Sequence, residues 1–337
     1  MIDIEDSATG RPSYWNIEMP EYCRVLPSWF KNRELCYGPT LYSELEKFNP
    51  DIVMLGAGWY MFSWMQGYRW AVKHGKKIIA GPIEFSNSLF KISKILRNRF
   101  IYKYLYKKVD MYFANAFLHY DYMDMALGLK NKTLFMNYDD YAPYLEQSIR
   151  GTPEKIKFLY AGAIDRRMRV PELIGVFESL HKKYGNIELV IGGYGPEKSK
   201  CIEIVKNSAD LTDSVIFYDV TSWEDIPAVY SECDVLINYA SFSPGSGVIL
   251  SAIASGMGII STISIHASRH FMVDNFNGFI VENQEQLYLA MERYVIDKDV
   301  LIDHSKRSKE IGESNLTFKT HLEDFNMIVN SLIEVEH

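Results

Sequence analysis

The stretch "KIKFLYAGAIDRRMRVPELIGVFESLHKKYGNIELVIGGYGPE", Lys155–Glu197, decides the fold. It opens on an apolar run rich in β-formers, "KIKFLYAGAI". In the segment that follows, Leu173, Phe177, Leu180 and Tyr184 fall on one face at helical spacing, with Pro171 near the start and Gly185 just past the end. A second apolar run, "IELVIGGYG", comes next. Strand, helix, strand then continues through "SVIFYDV", "DVLINYA", "GIISTI" and "GFIVE", each bounded by turn residues and alternating with helical segments. Near-continuous apolar strands alternating with helices indicate a parallel sheet covered on both faces, so the second half is expected to be a doubly wound α/β domain.

The first half repeats the theme more faintly. "PDIVMLGAG", "KKIIAGP" and "VDMYFANA" read as three parallel strands, with helices near "PTLYSELEKF", "YRWAVKHG" and "YDYMDMALG". At 337 residues two cores are expected. Residues 1–150 form the first domain, with Asn137–Gly151 as linker, and residues 151–312 form the second. In the C-terminal segment 313–337, Phe318, Leu322, Phe325, Ile328 and Leu332 share one helical face, expected to pack across the junction. Charge divides along the same line: the first 150 residues carry 19 Lys and Arg against 16 Asp and Glu, the remainder 17 against 27. Halves of +3 and −10 argue for different partners and against a general nucleic-acid binder.

Composition narrows the class further. The four cysteines, Cys23, Cys36, Cys201 and Cys233, lack the spacing of a disulfide framework or a zinc site. "MIDIEDSATG" is too acidic and polar for a secretory signal, and the apolar run Ile52–Met65 is too short to span a bilayer. A cytoplasmic protein is expected. One segment qualifies that picture: "FKISKILRNRFIYKYLYKKVD" interleaves Lys91, Lys94, Arg97, Arg99, Lys103, Lys107 and Lys108 with Phe, Ile, Leu and Tyr. Residues 90–110 are thus a candidate contact for an anionic membrane, against the plainer reading of a helix with a core face and a wet face.

Several ordered motifs resemble family 4 of the GT-B glycosyltransferases. "FLYAGAIDRRMRVPELIGVFESL" is similar to that family's opening strand, basic loop and first helix, and "LVIGGYGPE" to its Gly-x-Gly-Pro-Glu turn. "IPAVYSECDVLINYAS" and "NFNGFIVE" resemble later segments. In the first half "PDIVMLGAG" and "FMNYDD" are weaker landmarks. The resemblance implies two Rossmann-like domains facing a cleft that holds a nucleotide sugar. The chain also departs from the family. Two Glu of the donor site fall on Ser243 and Ser251, and the Arg and Lys that grip the donor diphosphate fall on Ala163 and Met168. The family's opening strand and Gly-rich loop are not legible before "PSYWNIEMPEYCRVLP".

The chemistry the resemblance implies requires neutralising the negative charge that builds on a departing diphosphate. In "SFSPGSGVILSAIASG", Ser241–Gly256, small Gly245, Ser246 and Gly247 let backbone amides at a helix start approach phosphate, and Ser243 and Ser246 add hydroxyls. A plain Ser/Gly helix cap reads the same way. Arg166, Arg167 and Arg169 lie in the loop where the missing basic pair belongs, and arginine suits phosphate by its bidentate fork. Gly162, Gly193 and Gly195 border the donor turn, and backbone near Val220 is where the resemblance puts the base. Glu84, past a strand end in "GPIEFSNS", is the candidate for orienting or deprotonating an acceptor hydroxyl. His266 and His270 follow another strand end. No metal and no cofactor besides the donor are expected.

The function implied is transfer of a sugar from a nucleotide sugar to a glycan or lipid-linked acceptor, retaining and metal-independent, in surface polysaccharide or glycoconjugate assembly at the inner membrane face. Two alternatives stay open: a catalytically degenerate GT-B subunit that partners another glycosyltransferase, and an epimerase or hydrolase on the same fold.

Overall fold

The computed structural model describes residues 26–27, 37–56, 62–81, 91–114, 117–129, 133–135, 141–219, 223–243 and 247–333. Two compact units divide the chain: Ile17–Tyr138 with His321–His337, and Asp139–Thr320.

The first unit runs α1 (Leu41–Phe48), β1 (Ile52–Leu55), α2 (Phe62–Lys73), β2 (Lys77–Ala80), α3 (Ile92–Phe100), β3 (Met111–Ala114), α4 (Phe117–Asp121) and β4 (Thr133–Phe135). All four strands pair in parallel in the order β1-β2-β3-β4. β4 adds a fourth strand to the three expected. Much of the chain's aromatic content is spent here. Trp64, Tyr68 and Tyr106 meet ring to ring, the Trp64–Tyr106 and Tyr68–Tyr106 centroids 4.6 and 4.9 Å apart and edge-on. The fully buried Trp70 donates its indole N–H to Glu46 at 3.1 Å.

The second unit begins with α5 (Ala142–Leu145), inside the stretch expected as linker; Tyr141 just before it is buried in the core of this unit. There follow β5 (Ile156–Ala161), α6 (Val170–Tyr184), β6 (Ile187–Gly192), α7 (Lys198–Lys206), β7 (Val215–Tyr218), α8 (Ile226–Ser231), β8 (Val235–Asn238), α9 (Gly247–Ala254), β9 (Gly258–Thr262), α10 (His266–Phe271), β10 (Phe279–Val281), α11 (Gln284–Ile296) and α12 (Lys298–Asn315). The six strands are parallel in the order β10-β9-β8-β5-β6-β7. Every residue of the inner strands β8 and β9 is buried, as expected of strands covered on both faces. Leu173, Phe177 and Leu180 of α6 face this core as their spacing predicts, joined by Val170 and Ile174. The helix ends where Gly185, at φ 71°, returns its N–H to the His181 carbonyl.

The last helix, α13 (Phe318–Ile333), rejoins the first unit, where Ile328 and Leu332 pack with Ile79 and Phe113. Its other expected face residues, Phe318, Leu322 and Phe325, are exposed.

One buried histidine makes the second unit sensitive to acid. His304 on α12 shares a 2.9 Å hydrogen bond with the Tyr294 hydroxyl and lies against Phe279. Burial holds its pKa below the ordinary 6.5, a Coulombic push from Arg307 adding to that and Asp303 and Asp274 acting against it. As pH falls, the unfolded chain takes up this proton before the folded one does. Stability is therefore full above 6.5 and declines as the pH drops below it. The melting temperature is expected to fall on acidification from about pH 8 to about pH 5, and His304→Asn to flatten that fall.

Candidate functional site

The order β10-β9-β8-β5-β6-β7 reverses direction between β5 and β8, because the chain first winds outward through β6 and β7 and then crosses back. In open parallel sheets ligands bind beyond the carboxyl ends of the strands at such a switch point, where consecutive loops part. Here the two loops flanking it are Gly162–Arg169, after β5, and the segment from Tyr239, after β8.

These loops are tied together. The backbone N–H of Ser241 donates to the Arg167 carbonyl at 2.7 Å and its hydroxyl to the same oxygen at 3.0 Å. The Arg169 guanidinium sits 5.4 Å from the Tyr239 ring centroid, a cation over an aromatic face. The basic loop is thereby held at the switch point. Its arginines differ in freedom. Arg167 spends its guanidinium on Asp165, at 2.7 and 3.2 Å, and Arg169 occupies a left-handed conformation at the start of α6. Arg166 is exposed, without a partner among the described residues. Met168, standing where the resemblance expects a lysine, is buried.

A second backbone ladder runs on the other side of β5. Gly162 donates to the Gly192 carbonyl at 3.0 Å, Ile164 to that of Tyr194 at 2.8 Å, and Glu197 to that of Ile164 at 3.0 Å. Side chains cannot enter this ladder: a Cβ on Gly193 would stand 2.0 Å from the Gly162 oxygen, and one on Gly195 2.4 Å from the Ile164 oxygen. Gly162 and Gly195 also lie at φ 134° and 154°, in the region that favours glycine. The Gly-x-Gly turn is thus explained by loop-to-loop contact, which sets the height of the basic loop.

On the far side, the loops after β8 and β9 are joined. Thr262 donates its hydroxyl to the Ala240 carbonyl at 2.6 Å, and Ser243 makes an isolated bridge to Ile265. Ser243 therefore lies at the carboxyl edge of the sheet. Ser251 does not: it is buried within α9. Gly247 opens α9, with nothing within 4 Å of where a Cβ would stand. Glu84, Val220, Gly245 and Ser246 lie outside the described residues, as does the His266 side chain. His270 sits in the last turn of α10. Among the described residues no three His, Cys, Asp or Glu side chains gather as metal ligands, and no helix is long and apolar enough to cross a membrane. Sequence reading missed Tyr239 and Ser241, whose roles arise from contacts between loops far apart in the chain, and Asp165, which holds Arg167 within its own loop.

Residues 145–314, half the chain, match the family described as glycosyl transferases group 1. The chain belongs to that family. The GtfA subunit of a UDP-N-acetylglucosamine–peptide N-acetylglucosaminyltransferase from Limosilactobacillus reuteri subsp. suis is 26% identical over 179 residues, covering 50% of this chain and 34% of that one. The group 1 chain thus spans about a third of the length of this relative. Among solved structures, a glycosyltransferase from Rickettsia africae superposes with a TM-score of 0.71 at 14% identity, covering 87% of this chain and 79% of that one. The pneumococcal O-GlcNAc transferase GtfA, solved with UDP and GlcNAc, gives 0.66 at 14%, covering 89% and 63%. At such identity these likenesses speak for the GT-B fold.

Proposed function

We propose that this group 1 chain transfers a sugar from a nucleoside diphosphate sugar to a glycan or lipid-linked acceptor. One observation carries the reading: the arginine loop after β5 is fastened, through the Arg167 carbonyl and Ser241, beside the segment that leads into α9. A diphosphate between them meets positive charge from both sides. Arg166 supplies a guanidinium, and the amides of the first turn of α9, which Gly247 opens, supply the positive end of the helix. Both stabilise the charge that grows on the diphosphate as the sugar leaves, which is where such stabilisation raises the rate. On this reading no divalent metal is needed, and transfer retains configuration. Glu84 acts on the acceptor hydroxyl, and the product is a surface glycoconjugate assembled on the cytoplasmic side.

A second reading is favoured by the two serines. Ser243 and Ser251 carry no charge, and Ser251 is buried within α9, so the fold can serve as a subunit that binds without turnover.

One experiment separates them: thermal shift with UDP, GDP, CDP, ADP and dTDP, without metal. UDP is the first choice, given the pneumococcal GtfA complex and the name of the L. reuteri relative. A nucleotide at 100 times its dissociation constant adds about 2.7 kcal/mol, a rise of roughly 5–10 °C for a unit of this size. Arg166→Ala is expected to weaken the response about tenfold while leaving the unliganded melting temperature unchanged, because the side chain is exposed. Response with release of nucleotide from a sugar donor supports transfer, response without release supports the binding subunit, and silence across the panel sinks the donor site.

A further inference from the structure

Between β2 and β3, α3 runs directly into a π-helical turn, Ile101–Leu105, closed by the Tyr106 N–H on the Ile101 carbonyl at 3.0 Å. The inner side of this segment is fully used. Ile101, Tyr102 and Tyr106 are buried in the first unit, Ile95 packs against them, and buried Asn98 donates to the Tyr122 hydroxyl at 2.9 Å. A helix with one core face and one wet face would be polar on the outer side. Instead Ile92, Leu96 and Phe100 recur there at every fourth position and stand 76%, 60% and 56% exposed, followed by Tyr104 at 58% and Leu105 at 55%. Side chains four apart stack one above the other, so Ile92 to Tyr104 form a ridge about 18 Å long. The Phe100 and Tyr104 rings lie 5.3 Å apart along it.

The charge around the ridge has one sign. Lys91, Lys94, Arg97, Arg99, Lys103, Lys107 and Lys108 accompany it, and no Asp or Glu occurs from Lys91 to Val109. Lys91, Arg99, Lys103, Lys107 and Lys108 are exposed, and the Lys103 ammonium lies 5.8 Å from the Tyr104 ring centroid. A second copy of the chain would bring seven further positive charges against these seven. An anionic bilayer meets both demands at once, since its acyl boundary takes the apolar ridge and its headgroups take the cations.

We propose that the outer face of α3 and its π-helical turn docks this protein on an anionic membrane surface, the Ile92–Tyr104 ridge entering the acyl boundary and the lysines remaining among the headgroups. This goes beyond the donor reading and stands without it. The whole chain carries a net charge of −7, so bulk attraction does not explain binding; the patch must.

The test is flotation of the full chain with vesicles of phosphatidylcholine alone, or with about a third phosphatidylglycerol. Strong flotation with the anionic vesicles and little with the neutral ones is expected. Two variants dissect the patch: Leu96→Ser with Phe100→Ser, and Lys103→Glu with Lys107→Glu. Each is expected to cut binding at least about tenfold with circular dichroism and melting temperature unchanged, because the altered side chains point outward. Equal binding to neutral and anionic vesicles, or parent-like binding by either double variant, overturns the proposal. So does a dimer in size-exclusion chromatography that the serine variant dissolves, because the ridge would then be a protein interface. No sugar donor enters the assay, so failure here and failure of donor binding are separate results.

Discussion

Gly193→Ala is expected to lower the melting temperature of the second unit by about 10 °C and to abolish nucleotide binding. The added methyl would stand 2.0 Å from the Gly162 carbonyl oxygen and 3.1 Å from its carbon. Neither is the end of a flexible side chain, so the loops after β5 and β6 must separate. Separation breaks the bonds from Gly162 to Gly192, from Ile164 to Tyr194 and from Glu197 to Ile164. Each leaves a polar backbone group short of its partner at about 1 kcal/mol or more, so a loss of about 2–4 kcal/mol follows. The Gly162–Arg169 loop then moves as a piece, carrying Arg166 and the Arg167 carbonyl away from the Ser241 side of the switch point. Gly175→Ala is the matched control. This glycine is exposed in the middle of α6 with nothing within 4 Å of a Cβ, and the substitution is expected to stabilise by about 0.5–1 kcal/mol. Differential scanning fluorimetry of the two variants, with and without the responding nucleotide, reads both effects. An unchanged nucleotide response in Gly193→Ala would mean that the ladder does not position the donor loop.

The contrast between these glycines marks how far the sequence could be read. β5, α6, β6 and the later strands declare themselves because a parallel sheet covered on both faces imposes continuous apolar runs, visible one segment at a time. In the first unit β1, β2 and β3, four residues each, still showed as short apolar runs, whereas β4 has three residues, too few for periodicity to speak, and went unread. The arginine loop and the glycine turn were legible as candidates, but not the reason they lie where they do. The Ser241–Arg167 contact joins residues 74 apart, and the need for Gly193 comes from a loop some thirty residues earlier. Ser251 entered the donor site through the resemblance alone, and a motif match does not say how deeply a side chain is buried; here it lies inside α9. Asp234 drew no notice in sequence, yet it accepts the Lys157 N–H at 2.8 Å and lies 3.3 Å from the Arg150 guanidinium, tying the incoming chain to the start of β8.

Lys309 is equally hard to read in sequence and matters as much for stability. On α12 it reads as one more surface lysine in "DHSKRSKE", yet it is 7% exposed. Its ammonium donates to three carbonyls, those of Leu145, Gln147 and Ala254, at 2.5, 2.8 and 3.0 Å. Those oxygens belong to the ends of α5 and α9 and the turn after α5, where carbonyls lack partners within the helix and carry partial negative charge. One cation thus closes two helix termini, and Gly312, one turn on, lets α12 approach so near that a Cβ there would stand 3.0 Å from the Ala254 Cα. Lys309→Met keeps much of the side-chain bulk and removes all three donors. With three carbonyls left short, one buried and two partly buried, the variant is expected to lose about 2–4 kcal/mol, seen as a lower urea midpoint with little change in slope. Arginine cannot substitute, because a planar fork does not reach three converging oxygens as a compact ammonium does. The pH dependence separates this role from simple packing. Burial holds the Lys309 pKa below the ordinary 10.5, so above the folded value the unfolded chain binds the proton more tightly than the folded one. Parent stability attributable to this group therefore rises with pH through the window just below 10.5. The methionine variant should lack that rise. A variant with parental stability would show that the three carbonyls are satisfied by water and that α12 needs no cation to seat against α9.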